Sequence, residues 1–262
     1  NAPQEMADAL AASGFDIISV ANNHILDQGK EGTIATLHAL KDRGLLPIGA
    51  SEDGVSARQE AVLSEKNGIT AAFLAYTYGT NGIPLPQDKP YLVYLIDEQR
   101  MKDDIALARE RGADVVVVSL HFGNEYQRRP TDEQRRIAEA VIASGADIIL
   151  GHHPHVLQPY ERIQTGSGED ARTGFVMYSL GNFISNQFGD YKEYGAILKL
   201  TIRKSYLPDG TPEIEIAGTE AIPTWVHKYR EGGKSKYRIL PIEAVAADAN
   251  DPLIAKRMFP VL

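Results

Sequence analysis

Residues 114–120, Asp-Val-Val-Val-Val-Ser-Leu, constrain the fold more than any other segment of this chain. An unbroken β-branched run reads as a strand buried on both faces, which is the condition of strands in a parallel sheet covered by helices. The neighbouring patterns agree with that reading. Residues 98–111 and 132–144 have amphipathic helical spacing, and Thr131 with Gln134 forms a capping box for the second. Further apolar strands are expected at 15–20, 45–49, 69–76, 147–150 and 175–180, and helices at 4–13 and 30–43, closed by Gly14 and Gly44. The stretch 79–90 is too rich in Gly and Pro for regular structure. Helices alternating with continuous apolar strands predict an α/β fold with a mainly parallel sheet.

After about residue 190 the pattern changes. Residues 194–203 and 213–222 alternate apolar and polar around the turn Pro208-Asp209-Gly210, and 234–241 adds a third segment, so antiparallel strands are expected there. The tail from Ala244 reads as helical or irregular. No low-complexity linker divides the chain. The expectation is therefore one domain over 1–262, with a core at about 5–203 and antiparallel strands and tail at 204–262.

Composition narrows the function classes. The net charge of −8 gives no electrostatic reason to bind nucleic acid, and no basic run argues for a membrane surface. The absence of cysteine excludes a disulfide framework, a thiolate metal site and a Cys nucleophile. No apolar run approaches the roughly 18 to 20 residues needed to cross a bilayer, and no signal-peptide pattern opens the sequence.

The chemistry-bearing residues are concentrated in four loops that follow predicted strands: 21–29, 121–126, 151–155 and 179–183. Five of the seven histidines lie in them, and the other two, His38 and His227, read as structural or surface residues. In an open α/β sheet, loops at the carboxyl ends of strands share one edge, where ligands bind. The segment Gly151-His152-His153-Pro154-His155 is the densest of the four. Without thiolates, a divalent transition metal takes N and O ligands, and Asn23, His121, His153 and His155 supply them. Alternatives remain for each: Asn23 as a turn cap, His121 as a satisfied buried histidine, His153 and His155 as partners of loop backbone. His152 should point away from its neighbours and support them from behind. His24 is a candidate general acid or oxyanion partner, with second-layer support as its alternative. Asp27 and Glu125 either orient a histidine by accepting its second N–H or are solvated loop carboxylates. Asn22 is expected to support the ligands or bind substrate, and Asn182 either lines the site or shapes its turn. Trp225 and the tyrosines that follow it are expected to pack.

Four motifs together resemble a known family: Asn-Asn-His-x-x-Asp-x-Gly at 22–29, His-x-Gly-x-Glu-Tyr at 121–126, Gly-x-His-Pro-His-Val-x-Gln at 151–158, and Tyr-Ser-Leu-Gly-Asn-Phe at 178–183. They are similar to the bacterial capsule-synthesis CapA family, which includes PgsA-type poly-γ-glutamate synthesis proteins and is related to calcineurin-like metallophosphoesterases. The resemblance covers about residues 5–200. It implies a four-layer αββα sandwich with a metal centre at one sheet edge. It also implies one or two divalent ions (Mn, Zn or Fe), with Asn23, His121 and His153 on one ion and His155 on the other. His24 would be the catalytic acid, with Asp27 beside it.

The related metallophosphoesterases begin with an Asp-containing strand and carry a second Asp that bridges two metals, and members of the CapA family have a Gly-Asp strand and an Asn-Leu-Glu segment ahead of the Asn-Asn-His motif. This sequence contains none of them. The sheet is therefore expected to lack its first strand, and the metal site to be incomplete, holding one ion or none. The resemblance further implies an extracytoplasmic protein at the cell surface, anchored by an upstream segment. Its ligand would be an anionic polymer or phosphoester, and its partners the membrane subunits of a capsule synthetase. The implied function is capsule or poly-γ-glutamate biosynthesis or export, either through metal-assisted hydrolysis or as a non-catalytic binding module.

Overall fold

Strand β5 (Val115–His121) is buried along all but its last residue, as its β-branched run requires. It lies inside a six-stranded sheet of order β3-β4-β5-β6-β8-β7. The other members are β3 (Val62–Lys66), β4 (Ile69–Thr77), β6 (Ile148–His152), β7 (Tyr160–Thr165) and β8 (Arg172–Met177). The four inner strands run parallel, and the edge strands β3 and β7 pair antiparallel. The computed structural model describes residues 2–53, 61–168 and 171–247. Contacts divide the chain into two units. The first comprises Asn1–Gly123, Pro130–His153 and Tyr160–Tyr178, and the second Asn124–Arg129, Pro154–Pro159 and Ser179–Leu262.

The first unit is layered. Helices α3 (Glu98–Glu110) and α4 (Asp132–Ala143) cover one face of the six-stranded sheet. Met101, Ile105 and Ala108 of α3 and Ile137, Ala138, Val141 and Ile142 of α4 form helical stripes that pack on Val116, Val118 and Leu120. Each fully buried Met, Ile, Val or Leu side chain among these contributes roughly 1.5–3 kcal/mol, and the alanines less. A small parallel pair, β1 (Ile17–Ser19) with β2 (Leu46–Ile48), packs toward the six-stranded sheet through Ala21, Ile48 and Ala75. Helices α1 (Glu5–Ala12) and α2 (Gly29–Lys41) cover that pair, with Ala7, Leu37 and Leu40 against Val20 and Leu45. This order of helices, sheet, sheet, helices is the expected αββα arrangement.

The second unit contains a three-stranded antiparallel sheet of order β11-β10-β9. Its strands are β9 (Tyr194–Tyr206), β10 (Pro212–Glu231) and β11 (Lys234–Pro241), followed by α5 (Ile242–Ala247). The turn around Asp209-Gly210 falls where expected. The next hairpin turns on Gly232 and Gly233, at φ +56° and +77°, which suits the positive angles of a two-residue loop. The expected helical start of the tail is present as α5, and the tail beyond residue 247 lies outside the described residues.

Three features differ from the sequence reading. Strands β3 and β7 were not anticipated, because edge strands bury little and neither carries an apolar run. Strand β10 is twenty residues long and passes through Pro223. The proline is tolerated because β11 pairs with β10 only from Thr224 onward, so no ladder bond is lost on that side.

Candidate metal centre

All four predicted loops leave the carboxyl ends of strands: β1, β5, β6 and β8. In the first loop the two asparagines divide the work. Asn22 folds the loop on itself, its Nδ2 donating to the Val20 carbonyl (3.1 Å) and its Oδ1 accepting from the His24 amide (2.9 Å). The Thr33 hydroxyl of α2 pins the same loop through the Ile25 carbonyl (2.8 Å). Asn23 is thereby turned inward and buried. Its Nδ2 donates to Asn81 Oδ1 (3.0 Å), and its Oδ1 lies 2.9 Å from His121 Nε2.

His121 is the last residue of β5, and His153 directly follows β6. Their rings are 4.9 Å apart, and the Tyr78 ring lies 4.7 Å from that of His153. The His153 backbone has φ +101°, far from the range a histidine prefers, and Pro154 follows it. A buried histidine held in such a conformation is a mark of a functional site. His24 faces solvent with Nδ1 2.8 Å from Asp27 Oδ2. That contact fixes the Nδ1–H tautomer and leaves Nε2 outward. Asn81 stands between the two groups: its Oδ1 accepts from Asn23, and its Nδ2 lies 3.4 Å from His24 Nδ1, which already donates to Asp27. At the end of β6, burial pushes the His152 imidazole down to about 4, so it is neutral at pH 7.

Sequence reasoning missed Asn81 and Tyr78, having set aside their loop as irregular. The signal was available: the loop leaves the carboxyl end of β4, a parallel strand, and so belongs to the same sheet edge.

In the second unit, His155 Nδ1 lies 2.9 Å from Asn182 Oδ1, while Asn182 Nδ2 donates to the carbonyls of His155 (3.2 Å) and Lys192 (2.8 Å). Asn182 thus clamps the loop carrying His155 to the loop after β8. Glu125 is exposed and acts on the hydroxyl of Tyr126, whose pKa burial and the nearby carboxylate raise.

Among the described residues, no three His, Cys, Asp or Glu side chains form a group suited to a metal ion. The first-unit cluster has two imidazoles, with the Asn23 amide oxygen as the third donor. Neutral N and O donors of this kind suit a borderline divalent ion, and they fit as three ligands of a four-coordinate set.

A family model described as "Bacterial capsule synthesis protein PGA_cap" matches residues 1–187. The chain belongs to this capsule synthesis family. It is 32% identical over 207 residues to the capsule biosynthesis protein CapA of Bacillus anthracis, covering 78% of this chain and 48% of that protein. It is also 32% identical over 238 residues to the PGA biosynthesis protein CapA of Bacillus subtilis (strain 168), covering 86% and 57%. The chain therefore spans about half the length of the curated relatives it matches. Among solved structures, a putative 5'-nucleotidase from Staphylococcus aureus superposes with a TM-score of 0.54 at 18% identity, covering 84% of this chain and 40% of that one. This family member therefore shares the fold of that 5'-nucleotidase structure. Among its described residues no helix is long and apolar enough to cross a membrane.

Proposed function

We propose that this chain serves the biosynthesis or export of a poly-γ-glutamate capsule, outside the cytoplasm and beside a membrane-bound synthetase. In this reading it acts through a divalent-metal site that binds an anionic ligand. The observation that carries the proposal is the convergence of Asn23, His121 and His153 beside the His24–Asp27 pair. Asn23, His121 and His153 would hold one ion. A bound Mn, Zn or Fe ion would supply Lewis-acid polarisation of a phosphoester or amide and neutralise its charge. The remaining work falls to the chain. Asn22 sets the loop that aims Asn23 inward and His24 outward. Asp27 holds His24 Nδ1, and the outward Nε2–H of the protonated ring would give its proton to the leaving group as an attacking water forms the new bond to phosphorus or to the carbonyl carbon.

The test combines metal analysis of the purified protein with p-nitrophenyl phosphate hydrolysis in added manganese. Stoichiometric ion and turnover that falls by about 10²–10⁴ in His24→Ala are expected. Absence of turnover in the wild type, or turnover that survives His24→Ala, contradicts the catalytic reading.

One observation favours a second reading, a non-catalytic binding module. The Asn23 oxygen and the His121 ring hydrogen-bond each other, so the two groups are satisfied without an ion. Absence of both bound metal and turnover in the folded protein would select it.

A further inference from the structure

The proposed reaction gives no role to the loop after β4, yet the fold builds that loop against the metal cluster. Its backbone is tied there at Tyr78, whose amide donates to the His121 carbonyl (2.9 Å). Two residues on, Thr80-Asn81-Gly82-Ile83 closes as a tight turn, with the Ile83 amide donating to the Thr80 carbonyl (3.0 Å). Asn81 and Gly82 sit at φ +53° and +77°, the positive angles that favour an Asn-Gly pair at the centre of such a turn. The turn accounts for the residue type at position 81. It does not account for where the side chain points.

That direction is set by neighbours. Asn81 Oδ1 accepts from Asn23 Nδ2 (3.0 Å) and from the Tyr78 hydroxyl (3.4 Å). Two donors on one atom identify it as the amide oxygen, so the other end is Nδ2. Nδ2 lies 3.4 Å from His24 Nδ1. That ring nitrogen carries the proton it gives to Asp27 Oδ2 at 2.8 Å, so it offers Nδ2 no lone pair. In this tautomer Nδ2 has no acceptor among the described residues. It stands on an exposed residue between the inward Asn23 and the outward His24. An ion on the Asn23 oxygen would leave Asn23 Nδ2 donating to Asn81 Oδ1, so the orientation survives metal binding.

We propose that Asn81 Nδ2 donates to an oxygen of the anionic ligand at this centre, a phosphoryl or a carboxylate oxygen. A donor already aimed by two hydrogen bonds loses little freedom when the ligand arrives. Its bond to a charged oxygen is stronger than one to a neutral acceptor. The inference rests on the anion-binding centre of the proposed function and adds a binding residue to it.

The test is calorimetric titration of the manganese-loaded protein with inorganic phosphate and, separately, with acetate. Asn81→Gly keeps the positive φ of the turn and removes the whole amide without adding charge. Asn81→Asp keeps the acceptor for Asn23 and removes only the donor. At least one anion should bind the wild type, and its Kd should rise about tenfold or more in both variants. The manganese Kd of Asn81→Gly should stay close to that of the wild type. The anion whose binding weakens identifies the ligand oxygen as phosphoryl or carboxylate. Thermal melts should show both variants folded, and if only one is, that one decides. Unchanged anion affinity in the folded variants overturns the inference. So does a parallel loss of manganese and anion in Asn81→Gly, which would make the amide a support for Asn23 alone. A wild type that binds neither anion overturns it too. The two readings fail separately: if the wild type takes up no manganese, the metal reading falls, and the same titrations of metal-free protein decide the role of Asn81.

Discussion

At the scale of single residues, the adjacent asparagines show what a sequence can and cannot say. Both were candidates for the site, and the turn role was weighed for Asn23. Only the fold decides that Asn22 bonds the local backbone and Asn23 is buried against His121. The same holds for Asp27, which the structure pairs with His24 at 2.8 Å, and for Glu125, which lies instead beside Tyr126. Asp27→Asn should preserve the loop but weaken control of the His24 tautomer, lowering kcat of manganese-supported hydrolysis by about 10–100-fold. Unchanged kcat would remove Asp27 from the mechanism. Gly151, just ahead of the histidine cluster, has a different constraint. A Cβ there would run into the Tyr178 carbonyl oxygen, a backbone atom that cannot step aside. Gly151→Ala should cost about 1–3 kcal/mol in urea denaturation. The need for glycine was invisible in the sequence, because the obstructing atom belongs to Tyr178, the residue after β8, far along the chain.

At the scale of elements, legibility followed burial. The four inner parallel strands and the helices that cover them were readable, because continuous apolar runs and 3.6-residue stripes are strong signals. The start of α4 was readable to the residue: Thr131 and Gln134 form the reciprocal capping box expected of them. Edge strands β3 and β7 were not, since half of each faces solvent and the pattern is faint. The join between α3 and the sheet adds a test that depends on pH. The Tyr76 hydroxyl donates to Asp104 Oδ2 (2.8 Å) in a fully buried contact, and burial with the adjacent carboxylate raises its pKa well above the usual tyrosine value. In the unfolded chain the same group titrates near about 10. The folded state therefore keeps a proton that the unfolded state loses, and stability should fall as pH rises above about 10. Tyr76→Phe should flatten that alkaline limb in pH-dependent thermal melts, while losing about 1–2 kcal/mol at neutral pH with the donor to Asp104. An alkaline limb identical to wild type would contradict the assignment.

At the scale of the whole molecule, family membership, fold and site were legible to different depths. Four short motifs carried the family, and the match over residues 1–187 agrees with them. The αββα order was implied by the resemblance, and the alternation of elements alone reached only as far as a parallel sheet. The division into two units could not be read along the chain, because the second unit is assembled from three separated segments. The cluster of Asn23, His121 and His153 was anticipated from spacing and strand ends, but Asn81, which accepts from Asn23 and lies beside His24, came only with the structure. The central claim is that Asn23, His121 and His153 hold one divalent ion. An anomalous difference map from crystals grown with manganese tests it most directly. The expected result is a single peak about 2.0–2.3 Å from Asn23 Oδ1 and from one ring nitrogen of each histidine, and a map with no peak beside these three residues would contradict it.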